Sequence, residues 1–477
     1  MKVLCVTSEC YPFAKSGGLA DVLYALPKAM VKEGVDARVI MPLYGSIDSK
    51  YRDAMEDVTI FDVQVGWRRQ YCGIKKLYMD GVTFYFVDNE YYFNRSELYG
   101  HYDDGERFAY FCRAVLESIP RLGFQPDVLH CNDWHTGAIG PLLKEHYMDN
   151  PRCNNLKLVF TIHNLQYQGI FPKEVLSDLL SLPDTYMAED KMEFYGNVNF
   201  MKGGINFADL ITTVSPTYAM EIKYSFFGER LEGLLKSKEQ HLRGILNGID
   251  NDIFNPETDD DIYQKYGIKT RDKKVINKIK LQEELGLPVN PDVPMVGLIS
   301  RLVRQKGIDL ISHVIKEILA NDLQLVVLGN GEERYESLFE YYGWACPDKV
   351  SANITFNHAL AQKIYAASDI FMMPSLFEPC GIGQMIALRY GALPIVRETG
   401  GLKDTVTPYN EYTQRGNGFT FSNYNAHEML FTLEKALSVY KEKDKWDQLV
   451  KNAMQAENGW EKSAQAYKEI YDKLINS

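Results

Sequence analysis

The pattern Gly-Gly-Leu-x-Asp occurs twice, as Gly17-Gly18-Leu19-Ala20-Asp21 and as Gly400-Gly401-Leu402-Lys403-Asp404. Each copy follows a short β-rich run, residues 3–7 or 394–396, and opens an apolar-periodic stretch with helical spacing. A strand, a glycine pair and a helix start make an anion site, because glycine lets backbone N–H groups come close to a ligand and the first amides of a helix have no partner within it. Lys15 adds a full positive charge two residues ahead of the first pair. A glycine pair also marks an ordinary turn. Repetition at the carboxyl ends of two strands, where open α/β sheets bind ligands, favours two nucleotide-binding-type domains facing one another across a cleft.

With 477 residues the chain exceeds what one core accommodates, and two large α/β domains fit its length. Residues 37–41, 83–87, 128–130, 158–162 and 210–214 are further short apolar runs, as strands covered on both faces require. The second half repeats the alternation with strands expected at 295–300, 324–328, 354–356, 370–373 and 393–396. The expected fold is therefore α/β, with two doubly wound, Rossmann-like domains. Leu19, Val22, Leu23, Leu26 and Met30 share one helical face, in a helix that Pro27 is expected to kink or interrupt. Turn-rich Asn247-Gly248-Ile249-Asp250 marks the expected boundary and hinge, between domains 1–246 and 247–459.

A formal net charge of -12 argues against nucleic-acid and anionic-membrane surfaces, both of which need basic ones. No apolar run reaches the ~18–20 residues that span a bilayer, and Met1-Lys2 leads straight into a strand, so a cytoplasmic location is expected. The eight cysteines form no CxxC pair, which leaves neither a zinc site nor a disulfide framework. The first strand is not followed by GxGxxG, and GxxxxGK[ST] is absent; nicotinamide, flavin and P-loop chemistry are thereby disfavoured.

Four strand-end segments carry the candidate chemistry. Residues 374–382 place Glu378 just before Cys380-Gly381 and a helix start, where a carboxylate either caps the helix or binds sugar hydroxyls. Residues 300–307 place Arg301 and Lys306 at another strand end, as solvated surface charges or as cations for a diphosphate. His163, in Thr161-Ile162-His163-Asn164, is either a core histidine or a cleft residue; His130 and His135 have weaker claims. Asn132-Asp133-Trp134-His135 ends a fourth strand, and Tyr91, Tyr92, Phe93, Tyr99, Tyr102 and Trp134 serve either packing or stacking on sugar rings. Asp259-Asp260-Asp261 falls in a charged stretch expected to be solvated surface rather than a metal site.

Lys15-Ser16-Gly17-Gly18-Leu19, Thr161-Ile162-His163-Asn164, Arg301 with Lys306, Glu378-Pro379-Cys380-Gly381 and Thr399-Gly400-Gly401-Leu402 together resemble the motifs of bacterial glycogen synthases and plant starch synthases. The similarity runs in order over essentially the whole chain, to a tail from Trp460 to Tyr471 similar to the family's last helix, and favours a bacterial enzyme. It implies a two-Rossmann glycosyltransferase fold of the GT-B type. It further implies retaining transfer of glucose from ADP-glucose to the non-reducing end of an α-1,4-glucan such as glycogen, without metal or cofactor. By that resemblance domain 1–246 is the acceptor side, with 460–477 packing back on it, and 247–459 binds the nucleotide sugar. Lys15, Arg301 and Lys306 would engage the diphosphate, His163 would sit beside the anomeric carbon, and Glu378 would hold the glucosyl hydroxyls. Gly17, Gly18, Asn247, Phe356, Cys380, Gly381, Thr399, Gly400, Gly401 and Leu402 would complete the donor site, Phe356 stacking on adenine. Asp21, Tyr99, Asp133 and Trp134 would line the acceptor and sugar side, with Asn247 beside the sugar.

Overall fold

In the computed structural model, which describes residues 1–476, the chain forms two compact units. The first is Met1–Asn247 with the C-terminal segment from Trp460; the second is Gly248–Gly459.

The first unit is built on nine strands: β1 (Lys2–Val6), β2 (Asp36–Pro42), β3 (Glu56–Val65), β4 (Arg68–Met79), β5 (Val82–Asp88), β6 (Val128–Asn132), β7 (Lys157–Ile162), β11 (Leu210–Thr213) and β12 (Leu242–Gly244). Between β7 and β11 a small antiparallel sheet intervenes, made of β8 (Ile170–Pro172), β9 (Glu193–Phe194) and β10 (Asn197–Asn199). The large sheet runs β12-β11-β7-β6-β1-β2-β5-β4-β3. Strand order thus reverses between β1 and β6, both parallel, and opens a crevice at their carboxyl ends. β6 is buried at every position and β1 at all but Lys2, which is why these strands read as unbroken apolar runs.

Two elements depart from expectation. β3 and β4 form an antiparallel ribbon joined through Gly66, which has φ +58°, and β4 also runs antiparallel to β5. Both strands are largely wet, so neither shows the apolar run by which buried strands are recognised. The helix Gly18–Lys32 continues through Pro27 without interruption. Losing one backbone bond costs about 3 kcal/mol. Burying Leu19, Val22, Leu23, Leu26 and Met30 contributes roughly 1.5–3 kcal/mol per side chain, which outweighs that loss.

The second unit has six parallel strands, β13 (Met295–Ile299), β14 (Gln324–Leu328), β15 (Val350–Asn353), β16 (Ile370–Met373), β17 (Leu393–Arg397) and β18 (Phe419–Phe421). They lie in the order β15-β14-β13-β16-β17-β18, with the reversal between β13 and β16. The strand expected at 354–356 lies earlier, at β15. Asn357 explains the offset: its side chain accepts from the Leu360 amide and starts the helix His358–Ala367, so the β-branched residues before it belong to the turn.

The last helix, Glu461–Ile475, packs on the first unit. Lys468 Nζ donates to the Glu33 carbonyl at 2.7 Å, and buried Tyr471 reaches His130 Nδ1 at 2.7 Å. Among the described residues, no helix is long and apolar enough to cross a membrane.

Candidate active site

In the second unit, the loops after β13 and β16 become neighbours because those strands are adjacent at the order reversal. Gly307, with φ +76°, brings them together: a Cβ there would stand 2.0 Å from the Pro374 carbonyl oxygen. Lys306 Nζ then lies 2.7 Å from Glu378 Oε2, and Ser375 Oγ donates to the same oxygen at 3.1 Å. Glu378 is 6% exposed, and those two contacts are its protein partners at Oε2 among the described residues. From β17, the Arg397 guanidinium holds the carbonyls of Ser375 and Leu376.

The second glycine pair clamps this loop from behind. Gly401 donates its amide to the carbonyls of Glu378 and Pro379 at 3.2 and 3.1 Å. A Cβ on Gly400, where φ is +45°, would lie 1.9 Å from the Glu378 carbonyl oxygen, and one on Gly401 would lie 2.2 Å from that of Cys380. Thr399 is the N-terminal flank of the short helix Gly400–Thr405, and Leu402 is buried behind it. Gly381 has φ +75°, and Gln384 Nε2 donates to the carbonyls of Cys380 and Gly381. Lys306, Glu378, Cys380, Gly381, Gly400 and Gly401 are thus one cluster. Arg301 stays apart from it: exposed, with no side-chain bond among the described residues. Phe356, 83% exposed on the loop after β15, presents its ring to solvent.

In the first unit, the loop after β1 carries Glu9, Lys15 and the first glycine pair. Glu9 Oε2 accepts the Ser16 amide at 2.5 Å, and Lys15 pairs with Asp21 at 2.7 Å. Burial raises the Glu9 pKa to about 7, with the Ser16 bonds opposing and the Asp21 charge adding. Tyr99 reaches back to this loop, its hydroxyl 2.8 Å from Ser8 Oγ.

Asp133, with φ +56°, follows β6 in a backbone region that non-glycine residues seldom occupy. Its Oδ1 accepts the amides of His163 at 2.8 Å and Asn164 at 3.4 Å. Burial raises its pKa to about 7 against those two bonds, and the Glu9 charge adds to the rise. His163 is only partly covered; its Nε2 lies 2.9 Å from Asn132 Oδ1, and burial, seconded by His130, lowers its pKa to about 3. Asn247 ends the first unit buried, its Oδ1 without a partner among the described residues.

Trp134 falls on the packing side of its two alternatives. Its ring is buried, stacked on His135 at 4.0 Å and packed against Phe108 and Phe171, so it belongs to the core rather than to a sugar-stacking surface. His130 is fully buried between Tyr471 and Thr161. Asp259 is equally committed, accepting from Tyr390 and Gln362. Sequence reading passed over Glu9 and placed Asn132 at a strand end without giving it a role of its own. Both carried a legible signal, a polar side chain at the carboxyl end of an apolar strand.

Residues 2–237 match the family described as starch synthase catalytic domain, and residues 281–455 match glycosyl transferases group 1. A glycogen synthase of Clostridioides difficile is 58% identical over 100% of both chains, and one of Geobacillus stearothermophilus is 54% identical over 100% of this chain and 98% of its own. Among solved structures, the catalytic domain of starch synthase IV from Arabidopsis thaliana, bound to ADP and acarbose, superposes with a TM-score of 0.93 at 35% identity, covering 100% of this chain and 99% of that one. Sucrose-phosphate synthase from Thermosynechococcus elongatus, at 18% identity and a TM-score of 0.64, shares the fold.

Proposed function

Because the chain belongs to the glycogen and starch synthase family and is a glycosyltransferase, we propose that it moves glucose from ADP-glucose to the non-reducing end of an α-1,4-glucan, with retention of configuration. The observation that carries this reading is the Lys306–Glu378 pair at the order reversal of the second sheet, a cation and a carboxylate held 2.7 Å apart. Transfer of a glucosyl group from a nucleoside diphosphate needs both signs. Lys306, with Arg301 and Lys15, neutralises the departing diphosphate. The Glu378 carboxylate bonds the sugar hydroxyls and balances positive charge growing at the anomeric carbon.

Gly381 and the Thr399–Leu402 segment shape the donor site, the unpaired Asn247 Oδ1 accepts from the sugar, and exposed Phe356 offers a face to adenine. His163 lies beside the anomeric carbon, while Asp21, Tyr99 and Asp133 serve the acceptor and sugar side. The plant starch synthase that holds ADP and acarbose supports an adenine nucleotide and an α-glucan as the two ligands. ADP-glucose is consumed as a co-substrate, no separate cofactor is involved, and the setting is cytoplasmic. The test is turnover of ADP-glucose and of UDP-glucose, each with and without glycogen. The expected result is glycogen-dependent ADP release with ADP-glucose preferred. Equal kcat/KM for the two donors would overturn the donor assignment, and turnover that ignores glycogen the acceptor assignment.

A further inference from the structure

Among the described residues, the ring of His163 has a protein partner on one side only, at Nε2, and that partner is itself oriented without ambiguity. Asn132 is 1% exposed at the end of β6. Its Nδ2 lies 3.0 Å from the Val6 carbonyl oxygen and 3.0 Å from that of His130. Carbonyl oxygens only accept, so the amide nitrogen must face them and Oδ1 must face His163. Turning the amide round would set three oxygens against one another in a site closed to water, at the cost of two buried hydrogen bonds. Oδ1 also only accepts, so the 2.9 Å contact exists only if Nε2 carries the hydrogen.

We infer that Asn132 is a positioning residue that locks His163 as its Nε2–H tautomer and leaves Nδ1 a bare lone pair that accepts a hydroxyl of the bound sugar, a role that presupposes the donor function proposed above. A neutral imidazole carries one ring hydrogen, and Asn132 claims it. Among the described residues nothing bonds Nδ1. The Asp133 carboxylate is taken up by the His163 backbone amide. Burial keeps the ring uncharged, holding its pKa at about 3. His163 therefore neither donates to the sugar through its ring nor supplies positive charge; it selects a ligand atom that carries a hydrogen. Three adjacent strands build the lock, since Val6 ends β1, His130 and Asn132 lie in β6, and His163 follows β7.

The experiment is long-range 1H–15N correlation on the full chain labelled with [15N]histidine, with His163 among nine histidines assigned by loss of its signal in His163→Gln. The expected spectrum shows hydrogen at Nε2 and none at Nδ1 throughout neutral pH; hydrogen at Nδ1 would overturn the lock. Asn132→Leu should give a tautomer mixture and at least a tenfold fall in kcat, with KM for ADP-glucose changed less than threefold. Asn132→Asp keeps an acceptor in place and should retain the Nε2–H signal. An unchanged kcat in Asn132→Leu would remove the positioning role, and should that variant fail to fold, the spectra of wild type and Asn132→Asp decide. The spectral result does not depend on turnover. A locked His163 in a chain inert toward ADP-glucose would overturn the donor reading, whereas an Nδ1–H ring in an active enzyme would overturn the lock alone.

Discussion

The two Gly-Gly-Leu loops share a pattern but owe it to different causes. Around the second, the protein itself demands glycine: side chains at Gly400 and Gly401 would collide with the carbonyls of Glu378 and Cys380 at 1.9 and 2.2 Å. Around the first, Gly17 has extended backbone at φ -158°, and a Cβ there would meet nothing nearer than Glu9 Oε1 at 3.9 Å. No protein group among the described residues accepts the amides of Gly17 or Gly18, whereas Gly401 spends its amide on Glu378 and Pro379. The second pair is thus a clamp that shapes the loop carrying Glu378. The first leaves room and open donors for a ligand, beside a buried Glu9 carboxylate that accepts the Ser16 amide. A repeated motif identifies a repeated position in the fold, and packing decides what the position does.

Substitutions can break that contrast. Gly400→Ala meets both a positive φ and an atomic overlap, so it should lose on the order of 3 kcal/mol, a fall in Tm of roughly 5 °C or more by calorimetry. An unchanged Tm would remove the clamp. Glu378→Gln tests whether the clamped residue is chemical: kcat should fall by about 10²-fold while Tm drops only slightly, since a helix-capping role would show the reverse. Gly17→Ala should fold normally, with Tm within about 1 °C of wild type, and lose roughly tenfold in kcat/KM as the added methyl meets the ligand. A variant as active as wild type would show the first loop to be as self-contained as the second.

The smallest effect concerns the carboxylate under the first loop. Folding raises the Glu9 pKa from 4.5 to about 7 by burial, so between those values the folded state binds more protons than the unfolded one. Its contribution is therefore greatest below pH 4.5 and is lost as pH rises through about 7; Asp133, raised from 3.8 to about 7, acts in the same direction. Glu9→Gln should remove the Glu9 share, becoming more stable relative to wild type by about 1 kcal/mol or more as pH rises across that window. Denaturant midpoints at both ends of the window check the sign, and a constant difference would place the effect elsewhere.

The amino-acid sequence by itself determined the alternation of strands and helices, both glycine loops and the strand-end positions of His163, Lys306 and Glu378, because local propensity and hydrophobic period act over a few residues at a time. It was least informative where local signals are weak or compete. The wet β3–β4 ribbon lacked an apolar run, Pro27 was read by its backbone cost alone, and Ile354-Thr355 looked like strand until Asn357 claimed them for a cap. Trp134 stood open between packing and sugar stacking, and His135, Phe108 and Phe171 enclose it. Only the tertiary structure decided which strand-end residues meet. Lys306 reaches Glu378 across 72 residues, His163 reaches Asn132 across 31 and Tyr471 reaches His130 across 341. Such pairings depend on which strands lie side by side, and that order is set by burying whole sheet faces rather than by any segment's own composition.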